Sequence, residues 1–270
     1  MTAFFERDSA DASVYLPGDF CRGPWNRNSL HGRAVAALLA YGVEQHVPDD
    51  GWHIARLTVD MFRLAPHAPT TLRTTVVRDG NRIRSIDATL EVEGVEVARA
   101  SGLILKRSDV APTAWGHTSE AVPQPEDGAP MDAGEGPFGD HRDGWEVRQV
   151  RPAEGGDASI AWLRMAHPFI EGESTSAFVR AAGSADFANP HSNRSEPRQA
   201  FINADMTLHL FRYPEGEWVG FEVAAHDSAG GVAIGSCALR DLDGPIGRST
   251  VATIANDRER ARASTPTVRD

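Results

Sequence analysis

The sequence predicts an α+β chain built of two tandem modules, each a single helix followed by an antiparallel meander. Three observations carry that expectation: an internal repeat, one order of elements in both halves, and a polar segment between them. In the repeat, Leu57-Thr58-Val59-Asp60-Met61-Phe62-Arg63-Leu64 lines up with Met206-Thr207-Leu208-His209-Leu210-Phe211-Arg212-Tyr213 at an offset of 149. Thr, Phe and Arg are identical, and the apolar positions correspond. Further on, Ala88–Gly94 matches Ala238–Gly244 at an offset of 150 through the acid-Gly turns Glu93-Gly94 and Asp243-Gly244, which implies a one-residue change of loop length.

The first half opens on a short strand at Val14-Tyr15-Leu16. His31-Gly32-Arg33 then leads into Ala34-Val35-Ala36-Ala37-Leu38-Leu39-Ala40-Tyr41, a run of strong helix formers ending before Pro48, which reads as a buried helix. Four strands follow, at 52–65, 70–79, 82–93 and 95–106, rich in β-branched residues and punctuated by Pro66, Asp79-Gly80-Asn81 and Gly94. In the second half a strand at 159–166 precedes a helix capped by Ser174-Thr175-Ser176 and running to Asn189-Pro190, with strands at 200–213, 217–228, 231–242 and 245–254. Between the halves the chain is rich in Pro, Gly and acids and poor in large apolar residues, so it cannot offset its own chain entropy by burial. Boundaries follow at 1–107 for the N-terminal module, 108–144 for a flexible linker with Trp115 as its one anchor, 145–256 for the C-terminal module and 257–270 for a frayed tail.

A lone helix ahead of a long antiparallel sheet is best buried when the sheet curls around it, which is the hot-dog arrangement. Two such sheets joined edge to edge cover strands that would otherwise present unpaired backbone groups, giving a double hot-dog. The edges and outer face that remain point to a homo-oligomer.

Composition narrows the function. A net charge of −11 and the absence of a basic run argue against nucleic acid as a partner. No apolar stretch approaches the length of a membrane span, and acids interrupt the N-terminus, so a soluble, cytoplasmic protein is expected. Cys21 and Cys237 lack CxxC spacing and read as free thiols, and no histidine pair has metal-ligand spacing, so neither a metal nor another cofactor is expected.

An ordered set of segments resembles the type II acyl-CoA thioesterase-like family of double hot-dog proteins, in particular its actinobacterial branch. The segments are Gly23-Pro24-Trp25-Asn26, Leu30-His31-Gly32, Arg56–Arg63, Ala185-Asp186-Phe187, Asn203–His209 and Glu217-Trp218-Val219-Gly220. The resemblance implies hydrolysis of an acyl-CoA or acyl-carrier thioester without metal or covalent cofactor. It further implies a water held by a helix-borne Asp, a hydroxyl or amide residue at the next strand, and a Gln on the last strand.

Asp186 falls on the first of these positions, and burial at a helix end would raise its carboxyl toward the working pH. Asn203 stands where the family has Thr or Ser, and its amide can orient water or donate to an oxyanion. The Gln position falls at Val251 or Ala252, neither of which binds water. Thr250 is therefore taken as the third catalytic candidate, with Thr253 the alternative, according to which residues of the strand face inward. For substrate binding the candidates are His31, Gly32 and Arg33, because a Gly at a helix start lets a thioester oxygen approach unpaired N–H groups.

Two other functions stay open. Asp186 and His191, five positions apart, resemble the pair of hot-dog enoyl-CoA hydratases, although His191 is expected in an exposed polar loop. Loss of the Gln would also suit a catalytically inactive acyl-thioester-binding protein. Trp162 and Trp218 read as core or groove aromatics, and Arg63 and Arg212 as repeat architecture.

Overall fold

A computed structural model of the chain describes residues 2–24, 26–48, 51–109, 122–130, 144–152, 158–193 and 201–256. The first half comprises β1 (Phe5–Arg7), β2 (Val14–Pro17), α1 (Gly32–Glu44), β3 (Trp52–Met61), β4 (Thr70–Asp79), β5 (Ile83–Val92) and β6 (Val95–Lys106). The second comprises β7 (Ala129–Pro130), β8 (Trp145–Arg151), β9 (Ile160–Met165), α2 (Ala177–Ala185), α3 (Ala188–Ser192), β10 (Phe201–Asn203), β11 (Asp205–Leu210), β12 (Trp218–Ala229), β13 (Val232–Asp241) and β14 (Gly244–Ala255).

The strands form one sheet in the order β1-β2-β4-β5-β6-β3-β11-β14-β13-β12-β9-β8-β7, with β10 also paired to β14 and every pairing antiparallel. The order mirrors about the β3/β11 junction. There Thr58 pairs with Thr207, its own mate in the repeat, and their hydroxyls lie 3.3 Å apart. A pseudo-twofold axis therefore passes between these two threonines.

Sheet pairing corrects the second repeat offset. Thr58 faces Ser101, which faces Asp87, and Thr207 faces Thr250, which faces Ser236, each second residue 149 positions beyond the first. The same offset holds to the hairpin ends, Val92 with Val95 and Asp241 with Gly244. Glu93-Gly94 thus corresponds to Leu242-Asp243, and the resemblance of two acid-Gly pairs shifted the alignment by one. Glu93 and Gly94 have φ of 53° and 75°, the left-handed pair that a two-residue hairpin turn with matching twist requires.

Helix α1 is buried on all sides from Arg33 to Val43, consistent with its nearly uninterrupted apolar run. It packs against the sheet and against α2, where Gly183 allows the close approach: a Cβ there would lie 3.1 Å from Ala37 Cβ and 2.8 Å from the Trp145 ring. The helix expected to run to Asn189-Pro190 instead breaks into α2 and α3. Proline at 190 has no N–H to give the carbonyl four residues earlier, that of Asp186, which accepts from Asn189 in a tighter turn at 3.2 Å.

Three strands escaped sequence reading, β1, β7 and β8. Phe4, just before β1, and Phe5, its first residue, donate backbone bonds to the carbonyls of Pro168 and Phe169, so this segment is fastened to the second half. In β8, Trp145 is buried beside Phe4 with ring centroids 5.7 Å apart. Within the span read as a linker, residues 122–130 hold a 3-10 turn and β7, and the Pro123 carbonyl accepts from Trp162 Nε1 at 2.9 Å. Trp115, the rest of that span outside 108–109, 122–130 and 144, and the tail from 257 lie outside the described residues. Both cysteines are buried free thiols. Arg212 forks onto Asp241 and reaches the Gly244 and Pro245 carbonyls, so it fixes a turn. Among the described residues, no helix is long and apolar enough to cross a membrane.

Candidate active site

The C-terminal end of α2 meets the N-terminal end of α1, and this junction gathers most of the candidates from sequence. Ser176 caps α2, accepting from the Val179 N–H, and ten residues later Asp186 stands at the C-cap, 6% exposed. His31 caps α1 by accepting the Arg33 N–H on Nδ1 at 3.1 Å. The first residue of the helix has to be glycine. A Cβ on Gly32 would lie 2.7 Å from Asp186 Oδ2, so only glycine lets the carboxylate sit against the helix start.

Burial raises the Asp186 carboxyl above the ordinary carboxylate range, opposed by the hydrogen bond from Asn203 and the charge of Arg33. Burial, seconded by Arg33, lowers His31 well below the usual imidazole value. The imidazole is therefore neutral, with its proton on Nε2 because Nδ1 accepts from Arg33. His31 Nδ1 lies 4.0 Å from Asp186 Oδ2, beyond hydrogen-bond reach, so His31 acts here as a cap. Arg33 is buried between the rings of Trp145 and Phe187, its guanidinium 5.5 and 5.2 Å from their centroids.

The carbonyl of His31 takes the N–H groups of Ala34 and Val35. Among the described residues nothing accepts from the Gly32 N–H. This donor, beside the carboxylate and at the positive end of a thirteen-residue helix, suits an oxygen that gains negative charge.

Asn203 donates from Nδ2 to Asp186 Oδ1 at 2.9 Å and to the Asp205 carbonyl at 3.3 Å, while its Oδ1 accepts from Asn189 Nδ2 at 3.1 Å. Both amide hydrogens are thus engaged. In this arrangement Asn203 holds the Asp186 carboxylate and has no amide hydrogen left over for a further acceptor.

Thr250 is not brought to the site. It is exposed, whereas the alternate residues Ser249, Val251 and Thr253 are buried, which puts Thr250 on the outer face of the sheet. Ser249 Oγ donates to the Ala185 carbonyl at 2.9 Å, and Thr253 lies directly opposite Asn203 with its hydroxyl bonded to the Ala233 carbonyl. Val251, fully buried, lies between these two on the inner strand face.

His191 is also corrected. It lies in α3, 7% exposed, stacked on Phe187 with Nε2 3.2 Å from the Ser159 carbonyl, and only residues 194–196 of the expected polar loop fall outside the described residues. The i,i+4 stacking of Phe187 on His191 requires the helical turn that sequence reading had replaced by a loop. Sequence reasoning gave no site role to Asn189, in α3, or to Asn193, its C-cap, both of them buried. Their spacing of four was the available signal.

The pseudo-twofold axis calls for a second junction, between the C-terminal end of α1 and the start of α2. Tyr41, ten residues after the His31 cap, stands where Asp186 stands after Ser176. Its hydroxyl donates to Glu173 Oε2 at 2.9 Å and accepts from Arg7 Nη2, while its ring packs edge-on against Tyr15. A large phenol with both its bonds made fills this place.

The N-terminal half, residues 21–105, matches the family profile of the acyl-CoA thioesterase N-terminal domain, and residues 118–252 match that of the acyl-CoA thioesterase C-terminal domain. Among solved structures, similarity extends to a candidate thioesterase of Novosphingobium aromaticivorans (20% identity, 93% of this chain and 98% of that one, TM-score 0.72). It extends also to a hot-dog protein of unknown function from Alicyclobacillus acidocaldarius (18%, 90% and 92%, 0.71). A third is the acyl-CoA thioesterase II TesB2 of Mycobacterium marinum (13%, 92% and 95%, 0.65). At these identities the structures establish a shared hot-dog fold. No sequence match was found among curated proteins.

Proposed function

Because the chain belongs to the acyl-CoA thioesterase family, we propose that it is a tandem hot-dog hydrolase that cleaves an acyl-CoA into the free acid and CoA, using a water activated by Asp186. The observation that carries this reading is the buried Asp186 carboxylate held against the start of α1, with a glycine at the point of contact. The thioester carbonyl oxygen would take the Gly32 N–H, and Asp186 would accept a proton as the water oxygen bonds the carbonyl carbon. Collapse of the tetrahedral intermediate breaks the C–S bond, and the proton passes from Asp186 to the departing sulfur. Val251 in the place of the family's Gln leaves Asp186 to hold the water with fewer partners, which predicts a slow enzyme.

A panel of acyl-CoAs of increasing chain length, read by release of free thiol beside a hydration assay on an enoyl-CoA, tests the reading. Thiol release that collapses in Asp186→Asn supports it. Hydration without thiol release favours the hydratase, and ligand-induced thermal stabilisation with no turnover in either assay leaves a binding protein.

A further inference from the structure

A line of amides leads away from Asp186 across α3. Asn203 Nδ2 donates to Asp186 Oδ1, Asn189 Nδ2 to Asn203 Oδ1 at 3.1 Å, and Asn193 Nδ2 to Asn189 Oδ1 at 3.1 Å. The Oδ1 of Asn193 meets His226 Nδ1 at 2.7 Å. Asn189 and Asn193 are 3% and 2% exposed, so water offers little alternative to these bonds. Gly235 makes room for the crossing, since a Cβ there would collide with Ser192 and Asn193. A bulge in β12 at Ala224 shifts the register just before His226, whose ring lies edge-on to Phe201 at the exposed end of the line.

The direction of the line is fixed from its inner end. Asp186 Oδ1 and the Asp205 carbonyl are both acceptors, so Asn203 must present its NH₂ to them and its oxygen to Asn189. The same constraint passes to Asn189 and Asn193, and leaves an acceptor facing His226. The imidazole must answer with an N–H on Nδ1, the less favoured tautomer of free histidine.

We propose that Asn189, Asn193 and His226 form a polarised hydrogen-bond chain that strengthens the hold of Asn203 on Asp186, making His226 a remote positioning residue of the active site. The proposal rests on Asp186 being the catalytic base. Every dipole in the chain points its donor toward the carboxylate, so the bonds reinforce one another, and removing the outermost donor weakens each bond inward while the two acceptors facing Asn203 still fix its orientation.

The test is nitrogen-15 NMR of the histidines in the full chain, about two pH units above the ordinary imidazole value, together with kinetics. The wild type should show His226 protonated on Nδ1. In Asn203→Ala, three links away, the proton should move to Nε2. His226→Phe, an exposed position that keeps an aromatic ring beside Phe201, should lower kcat about three- to tenfold with KM little changed. His226→Gln, which restores an N–H donor, should recover most of that loss. His226 protonated on Nε2 in the wild type, a tautomer indifferent to Asn203→Ala, or wild-type kcat in His226→Phe alongside an inactive Asp186→Asn would each overturn the proposal. Wild-type turnover in Asp186→Asn would instead defeat the catalytic premise, and the two failures are therefore told apart.

Discussion

Asp186 is a residue whose cost and use have the same origin. Burial raises its carboxyl, so the folded chain keeps that proton to a higher pH than the unfolded chain does. This favours folding at low pH and is lost as pH rises from the unfolded value through the raised folded one. Asp186→Asn should therefore melt at a higher temperature than wild type at neutral pH, with the gain vanishing in acid. The same variant should lower turnover by about 10²- to 10⁴-fold. A scanning calorimetry series over pH and thiol-release kinetics check the two halves; a lower melting temperature at neutral pH would show that Asp186 is held by bonds stronger than its burial cost. Asn203→Ala should cost about ten- to a thousandfold in turnover, because it removes one oriented bond to the carboxylate and cuts the amide line. Gly32→Ala should displace the carboxylate, lowering turnover and costing about 1–3 kcal/mol by overpacking. On the last strand, Val251→Gln should raise turnover, while Ala252→Gln and Thr250→Val should not change it, since register turns Thr250 outward. A gain at Ala252 would mean that the catalytic water lies on the other face.

At the scale of elements, the two helices meet end against end twice, and the two meetings differ. Asp186 faces Gly32 at one junction; Tyr41 with Glu173 and Arg7 closes the other. We therefore expect calorimetric titration with a non-hydrolysable acyl-CoA thioether to saturate at one ligand per chain. Two equivalent sites would show that the Tyr41 cluster opens. Helix α1 and the strands β3 to β6 were legible because their signals are local: an unbroken apolar helix former run, β-branched alternation and turn residues. The break between α2 and α3 was less so, because Pro190 acts four residues away, on the carbonyl of Asp186, while the apolar pattern continues through it. The strands β1 and β8 were missed for a different reason. Each is an outer strand whose identity depends on a partner distant in sequence, Pro168–Phe169 for the N-terminus and β9 for Trp145–Arg151.

For the whole molecule the decisive contact is β3 against β11, which joins two sheets into one and buries Leu57, Val59, Met206 and Leu208. Either half alone would bare that strand edge along with the β1 seam. Fragments 1–109 and 122–256 should thus aggregate when produced separately and form a soluble complex when produced together, as followed by co-purification and size exclusion. Folded, monomeric single halves would contradict this. The sequence by itself determined the α+β class, the repeat, the elements with strong local period and the residue types suited to thioester chemistry, because all of these are written in neighbouring side chains. Only the tertiary structure decided which strand face looks inward, setting Val251 and Thr253 against Thr250. It alone placed Asp186 beside Gly32, occupied the mirrored junction with Tyr41, and drew Asn189, Asn193 and His226 into one line. Those outcomes depend on register, on a bulge and on helix ends meeting across 132 (Tyr41 to Glu173) to 154 (Gly32 to Asp186) residues of chain, where a shift of one position reverses a face and no local pattern records which way it went.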